Sequence, residues 1–301
     1  MHAARRRFCA AALLACTALP GLAAGRWSLA QASAAAPATT TASSAAAAAP
    51  GTPSTERRAA LVIGNADYRV GALKNPVNDA QAVAASLRGL GFEVTLRENT
   101  SLRDMLETFR QFSFSAREAQ VRVIFYAGHG LQVKGRNYLL PVDTEIRAED
   151  EVPGKSADLN ELLDRLGTMK QGINIVILDA CRNNPFSGAE IVGPDGRRLK
   201  FRGATPSGLA PVEAPLGSMV AFSTAPGGVA LDNPNERNSL YTKHLLGSMQ
   251  APGLPVELLF KQVRLGVARE TGRVQVPWES SSLTGDFCFR PGADGTCSVV
   301  R

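Results

Sequence analysis

The sequence predicts an α/β fold, a mostly parallel central sheet with helices on both faces, and three observations predict it. Short apolar runs rich in β-formers alternate with amphipathic helical segments along the chain. The most continuous apolar run, "INIVILDA" at 173–180, has the character of a strand covered on both sides. A chain of 301 residues with 45% hydrophobic content is long enough for one sizeable core.

Each element has its own local warrant. "AALVIG" (59–64) reads as a buried strand bounded by Gly64-Asn65. Asn75 and Pro76 supply a helix start, with Val77, Ala80, Val83, Ala84, Leu87 and Leu90 on one face and Gly91 as the stop. "FEVTL" alternates as a strand. Ser101 then opens a second helix with Leu102, Met105, Leu106, Phe109 and Phe112 on one stripe. "VRVIFYA" (121–127) is a third strand, followed by a hairpin around Lys134-Gly135 and an amphipathic helix in "SADLNELLDRLGTM". After the 173–180 strand and a long loop come a strand at "SMVAFST" and a helix at "NSLYTKHLLGSM". A helix from Pro255 with Val256, Leu259, Phe260, Val263 and Val267 inward follows, and then a last short strand near "DFCF".

The ends read differently. Arg5, Arg6 and Arg7 precede a short apolar stretch ending in small residues, the pattern of an export signal over 1–34, cleaved after Ala24 or Ala34. The stretch is too short and Ala-rich to span a membrane, so no transmembrane span is expected in the mature form. Residues 35–56 are an Ala/Ser/Thr/Pro-rich linker, 57–290 the folded domain and 291–301 a tail. The expected location is periplasmic or secreted. Removing 1–34 discards four arginines and no acids, so the formal charge drops from +6 to +2 and gives no reason to expect nucleic acid as a partner. Cys181, Cys288 and Cys297 remain. The last two read equally as a disulfide or as one buried and one frayed residue.

Chemistry concentrates at two points. His129 stands in "FYAGHG", two residues beyond the 121–127 run, and Cys181 directly follows the 173–180 run. Parallel sheets place their chemistry beyond the carboxyl ends of strands, so neighbouring strands would bring this pair together. Gly128 and Gly130 leave the ring uncrowded, and polar residues after Cys181 keep the thiol reachable. A lone cysteine is ordinarily a small hydrophobe and a lone histidine a loop residue. Matching strand ends argue against coincidence.

"GHG" after one strand and "DAC" after another some fifty residues later resemble the caspase and metacaspase superfamily of cysteine peptidases, as do "LKNPVNDA", "NYLLPVD" and "PWESSSLTGDF". The likeness runs from about Leu61 to Phe289 and is strongest to bacterial members. It implies a caspase-like three-layer sandwich that acts on protein or peptide substrates. Cys181 would be the nucleophile, His129 the general base and acid, and the backbone N–H groups of Gly130 and Cys181 the oxyanion donors. Asp79 and Asp179 match acidic positions that admit Arg or Lys before the scissile bond, although Ala127 and Pro76 stand where serine and cysteine are common. Asp79 could equally serve its helix's first turn, and Asp179 could cap a loop.

Arg197, Arg198, Lys200 and Arg202 lie in a long loop that such an enzyme could cut in itself. Some relatives need calcium. Here Asp143, Glu145, Glu149, Asp150 and Glu151 supply oxygens but no EF-hand spacing, so a solvated acidic loop is expected and no cofactor. His244 is expected to be structural. A catalytically weak caspase-like binding module is the alternative function. A nucleotide site is poorly supported because "VIGNADYRVG" lacks G-x-G-x-x-G. Metal hydrolase chemistry lacks H-E-x-x-H.

Overall fold

The computed structural model describes residues 56–297 except 170–171, 182–189, 193–197, 201–208, 227, 229, 232 and 234; at 181, 190–192 and 198–200 it describes the backbone alone. The export signal (1–34) and nearly all of the linker lie outside the described residues.

The chain runs β1 (Arg58–Gly64), α1 (Pro76–Gly89), β2 (Phe92–Glu98), α2 (Leu102–Ser115), β3 (Val121–Val133) and β4 (Arg136–Leu139). It continues through α3 (Val152–Lys155), β5 (Ala157–Asp158), α4 (Leu159–Gly167) and β6 (Ile173–Cys181). A hairpin of β7 (Glu190–Val192) and β8 (Arg198–Lys200) precedes β9 (Ser218–Phe222), α5 (Leu240–Met249), α6 (Val256–Glu270) and β10 (Trp278–Ser281). The main sheet has the order β10-β9-β6-β3-β1-β2, parallel except for β10. β6 therefore has a parallel neighbour on each side, and its central Ile175, Val176, Ile177 and Leu178 are all buried, alternating between the cores on its two faces.

Side chains on this sheet alternate between two cores. Val121, Val123, Phe125 and Ala127 pack with Val83 and Leu87 of α1, Leu245 of α5 and Phe260 of α6. Ile124 and Tyr126 point the other way, to Met105, Phe109 and Phe112 of α2 and Leu162 and Leu166 of α4. The two-residue period of one strand thus builds both outer layers. Arg122 breaks the apolar run of β3 yet is buried, because it donates to the carbonyls of Ala116 and Arg117 at the end of α2 and to Asn174 Oδ1. Burial pulls this guanidinium's pKa below its usual range.

Four expectations need correction. The long loop expected after β6 is not without structure: it carries the antiparallel pair β7–β8. Leu106 is 46% exposed: the buried stripe of α2 is Met105, Phe109 and Phe112, and Leu106 falls a full residue step (~100°) to its side. The strand does not end at Ala127 but carries on through the Gly-His-Gly stretch to Val133, where Lys134 and Gly135, both at positive φ, turn it into β4. The final strand is Trp278–Ser281, not "DFCF". Polar edge residues hid the real strand, whereas Phe287 and Phe289 are buried as irregular chain beside Phe92. There Phe287 O accepts from Val256 N–H at 2.8 Å, and Arg290 O accepts from Gly253 N–H at 2.8 Å.

Cys288 and Cys297 form a disulfide that closes this segment over a sequence separation of 9. Constraining so short a loop is worth about 2–3 kcal/mol in the unfolded state. Reduction, or Cys297→Ser, is expected to lower the melting temperature by several degrees; unchanged melting with and without reductant would show that the clasp bears no load.

Candidate active site

β3 and β6 are parallel neighbours whose register runs from Val121 opposite Ile173 to His129 opposite Cys181. The histidine and cysteine are thus the last pair of one ladder, on strands about 4.8 Å apart, and both belong to strands, not to the loops beyond them. Gly130 lies one step further along β3, opposite Leu139 of β4.

His129 is held from several sides. Its Nε2 is 2.7 Å from the carbonyl oxygen of Gly71. A carbonyl can only accept, so Nε2 carries the proton and the neutral ring is basic at Nδ1. The backbone N–H of His129 donates to the Tyr68 hydroxyl at 2.9 Å, and the Tyr126 hydroxyl donates to the His129 carbonyl at 2.7 Å. Burial pushes the Tyr126 phenol well above its usual pKa, with help from the Tyr68 hydroxyl beside it, so it stays a donor at any working pH. A Cβ at residue 128 would stand 2.6 Å from the Tyr68 hydroxyl and 2.8 Å from that of Tyr126. Glycine is needed there to admit both phenols, more than to free the ring.

Asp79 and Asp179, a hundred residues apart in sequence, meet the same helix start. Asp79 lies in the first turn of α1 and is 1% exposed; its Oδ1 accepts from Asn238 Nδ2 at 2.8 Å and from Ser239 N–H at 3.0 Å. Asp179, the third residue from the end of β6, accepts at Oδ2 from the hydroxyls of Ser239 and of Thr242, the latter at 2.9 Å. Ser239 caps α5 by accepting from Thr242 N–H. Two carboxylates at one helix N-terminus are stabilised by its dipole. Burial raises the Tyr241 phenol well above its usual pKa, and the negative charge of Asp179 adds to the effect.

A caspase-domain family model matches residues 57–288. The chain belongs to the caspase-domain family. Caspase-domain proteins form a superfamily of cysteine peptidases, and this caspase domain is similar to human mucosa-associated lymphoid tissue lymphoma translocation protein 1, 28% identical over 131 residues. That match covers 43% of the chain and 16% of the human protein. The mouse homologue is 27% identical over 133 residues, 44% of the chain and 16% of that protein. The chain therefore spans about a sixth of the length of the curated relatives it matches. Among solved structures, caspase-1 from Spodoptera frugiperda superposes with a TM-score of 0.57 at 18% identity, covering 79% of this chain and 92% of that one. Its likeness shows the shared fold, a three-layer sandwich.

The other candidate residues have different partners. Glu145 pairs with Arg69, Glu151 with Lys155, and Asp143 accepts from Leu102 N–H. Glu149 and Asp150 are in the same acidic turn. Among the described residues no group of three or more His, Cys, Asp or Glu is arranged to hold a metal ion. No helix among them is long and apolar enough to cross a membrane. His244 contacts Glu270 of α6 at 2.8 Å, a tie between two helices. Arg198 and Lys200 lie on β8, while Arg197 and Arg202 lie outside the described residues.

Sequence reasoning missed Tyr68, Gly71, Tyr126, Asn238, Ser239 and Thr242. Tyr68 and Gly71 lie in "GNADYRVG", the stretch weighed only as a nucleotide loop, and nothing local in it points to a histidine 58 or more residues away. The one available signal for Ser239 was its position as a helix cap.

Proposed function

We propose that this caspase domain is an exported cysteine endopeptidase that cleaves after Arg or Lys through a Cys181–His129 dyad. The observation that carries it is the terminal ladder pair His129–Cys181 with the Nε2 proton held on Gly71 O. In the reaction, Nδ1 takes the thiol proton and the sulfur attacks the carbonyl carbon. The N–H groups of Gly130 and Cys181 donate to the oxyanion. When the C–N bond breaks, the imidazolium gives its proton to the leaving amine. Water, deprotonated by the same Nδ1, then releases the acyl group and restores the thiol.

The basic preference is supported by the convergence of Asp79 and Asp179 on the α5 N-terminus, beside the end of β6. A guanidinium can exchange for hydroxyl donors there and form charge-assisted bonds. The same preference would allow self-processing at Arg197, Arg198, Lys200 or Arg202. Export is supported by the Cys288–Cys297 disulfide, which suits an oxidising compartment.

Reporter peptides with Arg, Lys or Asp before the scissile bond test this, with wild type and Cys181→Ala, with and without calcium. Arg and Lys reporters are expected to be cleaved by wild type alone, and only wild type should show internal cleavage on a denaturing gel. Preference for Asp would reject the pocket assignment. No Cys181-dependent cleavage of any reporter would leave a caspase-like binding module. A rate that rises only with calcium would give the acidic turn a regulatory part.

A further inference from the structure

Tyr68 meets His129 in two ways. Its ring centroid is 4.4 Å from that of the imidazole, with the planes tilted by 50°. Its hydroxyl accepts the histidine's backbone N–H at 2.9 Å. The hydroxyl is itself anchored, 3.1 Å from the Leu140 carbonyl and 3.2 Å from the Tyr126 hydroxyl, and Tyr68 is 8% exposed. Each phenol has one proton. The Tyr126 hydroxyl is within donating distance of the His129 carbonyl, 2.7 Å, and of the Leu140 carbonyl, 2.9 Å, and the Tyr68 hydroxyl reaches Leu140 as well; whichever acceptor takes each proton, Tyr68 keeps a lone pair for the His129 N–H. Tyr68 and Gly71 belong to one short loop after β1, so a single segment grips the histidine's main chain, the side of its ring and its Nε2 proton. Gly128 fits the same purpose, because any Cβ there would occupy the space of the two hydroxyls.

We propose that Tyr68 is the positioning residue of His129: its hydroxyl fixes the histidine's backbone, and its ring aims the imidazole at Cys181 and favours the imidazolium that pairs with the thiolate. The electron-rich face of a phenol close to an imidazolium stabilises the charged form. This inference rests on the dyad reading above, and the test separates the two.

The whole chain is treated with iodoacetamide between about pH 5 and 9, where imidazole and thiol both titrate. Alkylation is read on the Cys181 peptide by mass spectrometry, so the other cysteines do not contribute. Wild type is compared with His129→Ala, Tyr68→Phe and Tyr68→Leu, and folding is checked by circular dichroism and melting. Wild-type alkylation is expected to persist well below the ordinary thiol midpoint of about 8.5, and His129→Ala to return the midpoint toward it.

Tyr68→Leu, which removes the ring, should raise the midpoint by about half a pH unit or more. Tyr68→Phe keeps the ring and loses the hydroxyl. It should slow alkylation near pH 6 by roughly threefold and lower kcat on the Arg reporter with KM unchanged. A folded Tyr68→Leu protein with the wild-type midpoint overturns the inference. Should that variant not fold, Tyr68→Phe decides: wild-type rates across the pH range overturn it. If His129→Ala leaves the profile unchanged, the dyad reading fails instead, and the Tyr68 inference goes with it.

Discussion

Cys181→Ala is expected to abolish peptide hydrolysis, and His129→Ala to lower kcat by roughly 10²–10⁴-fold, the range that a positioned acid–base group supplies. Both variants should fold. Cys181 is the last residue of β6 and His129 lies where β3 passes from the main sheet to its pairing with β4. The ladder between them is made by backbone groups that neither substitution removes. His129→Ala gives up the bond from Nε2 to Gly71 O and the contact with Tyr68, a loss of about 1–2 kcal/mol. Melting should therefore shift modestly while turnover collapses. Turnover within threefold of wild type for either variant would remove the dyad from the mechanism. Because each residue acts through the other, the double variant should be no slower than Cys181→Ala.

Asp179→Asn should lower kcat/KM for Arg reporters by about 100-fold, as loss of a charge-assisted bidentate partner does, and leave reporters with small neutral residues at that position little changed. Asp79→Asn should act in the same direction. The isosteric amide keeps an acceptor oxygen for Asn238 and Ser239, so the structural cost should stay near 1 kcal/mol even though Asp79 is buried. The contrast between a large specificity change and a small melting change is the readout. A melting loss of several kcal/mol with unaltered preference for Arg over neutral reporters would mean that the acids merely anchor α5. The connection through Ser239 also predicts coupling: the two substitutions together should cost less than the sum of their separate effects.

Several elements could be read directly from local composition. β6 was visible because a strand with parallel neighbours on both sides and helices over both faces has no wet side, so "INIVIL" needs no polar alternation. α6 was visible because Val256, Leu259, Phe260, Val263 and Val267 repeat at helical spacing, and all five are buried. The Lys134-Gly135 turn was visible because Gly135 takes positive φ without a Cβ clash.

The misplacements share a different cause. β10 is an edge strand whose polar residues pair by backbone alone, so hydrophobic pattern cannot find it. "DFCF" is buried by packing and by a disulfide rather than by pairing, and burial was mistaken for a strand. Arg122 can sit within an apolar run because the carbonyls it satisfies belong to the end of a preceding helix, which local pattern does not show.

The same division holds for the site. His129 and Cys181 stood out in the sequence because each is a reactive residue at the carboxyl end of an apolar run, and that depends only on neighbours along the chain. The register that sets them opposite each other, the two phenols that hold the histidine's backbone, and the helix start on which Asp79 and Asp179 converge were decided by tertiary structure. Those contacts join residues from 3 to 160 positions apart. Local pattern reports which face of an element avoids water; it does not report which polar atoms the folded chain brings together.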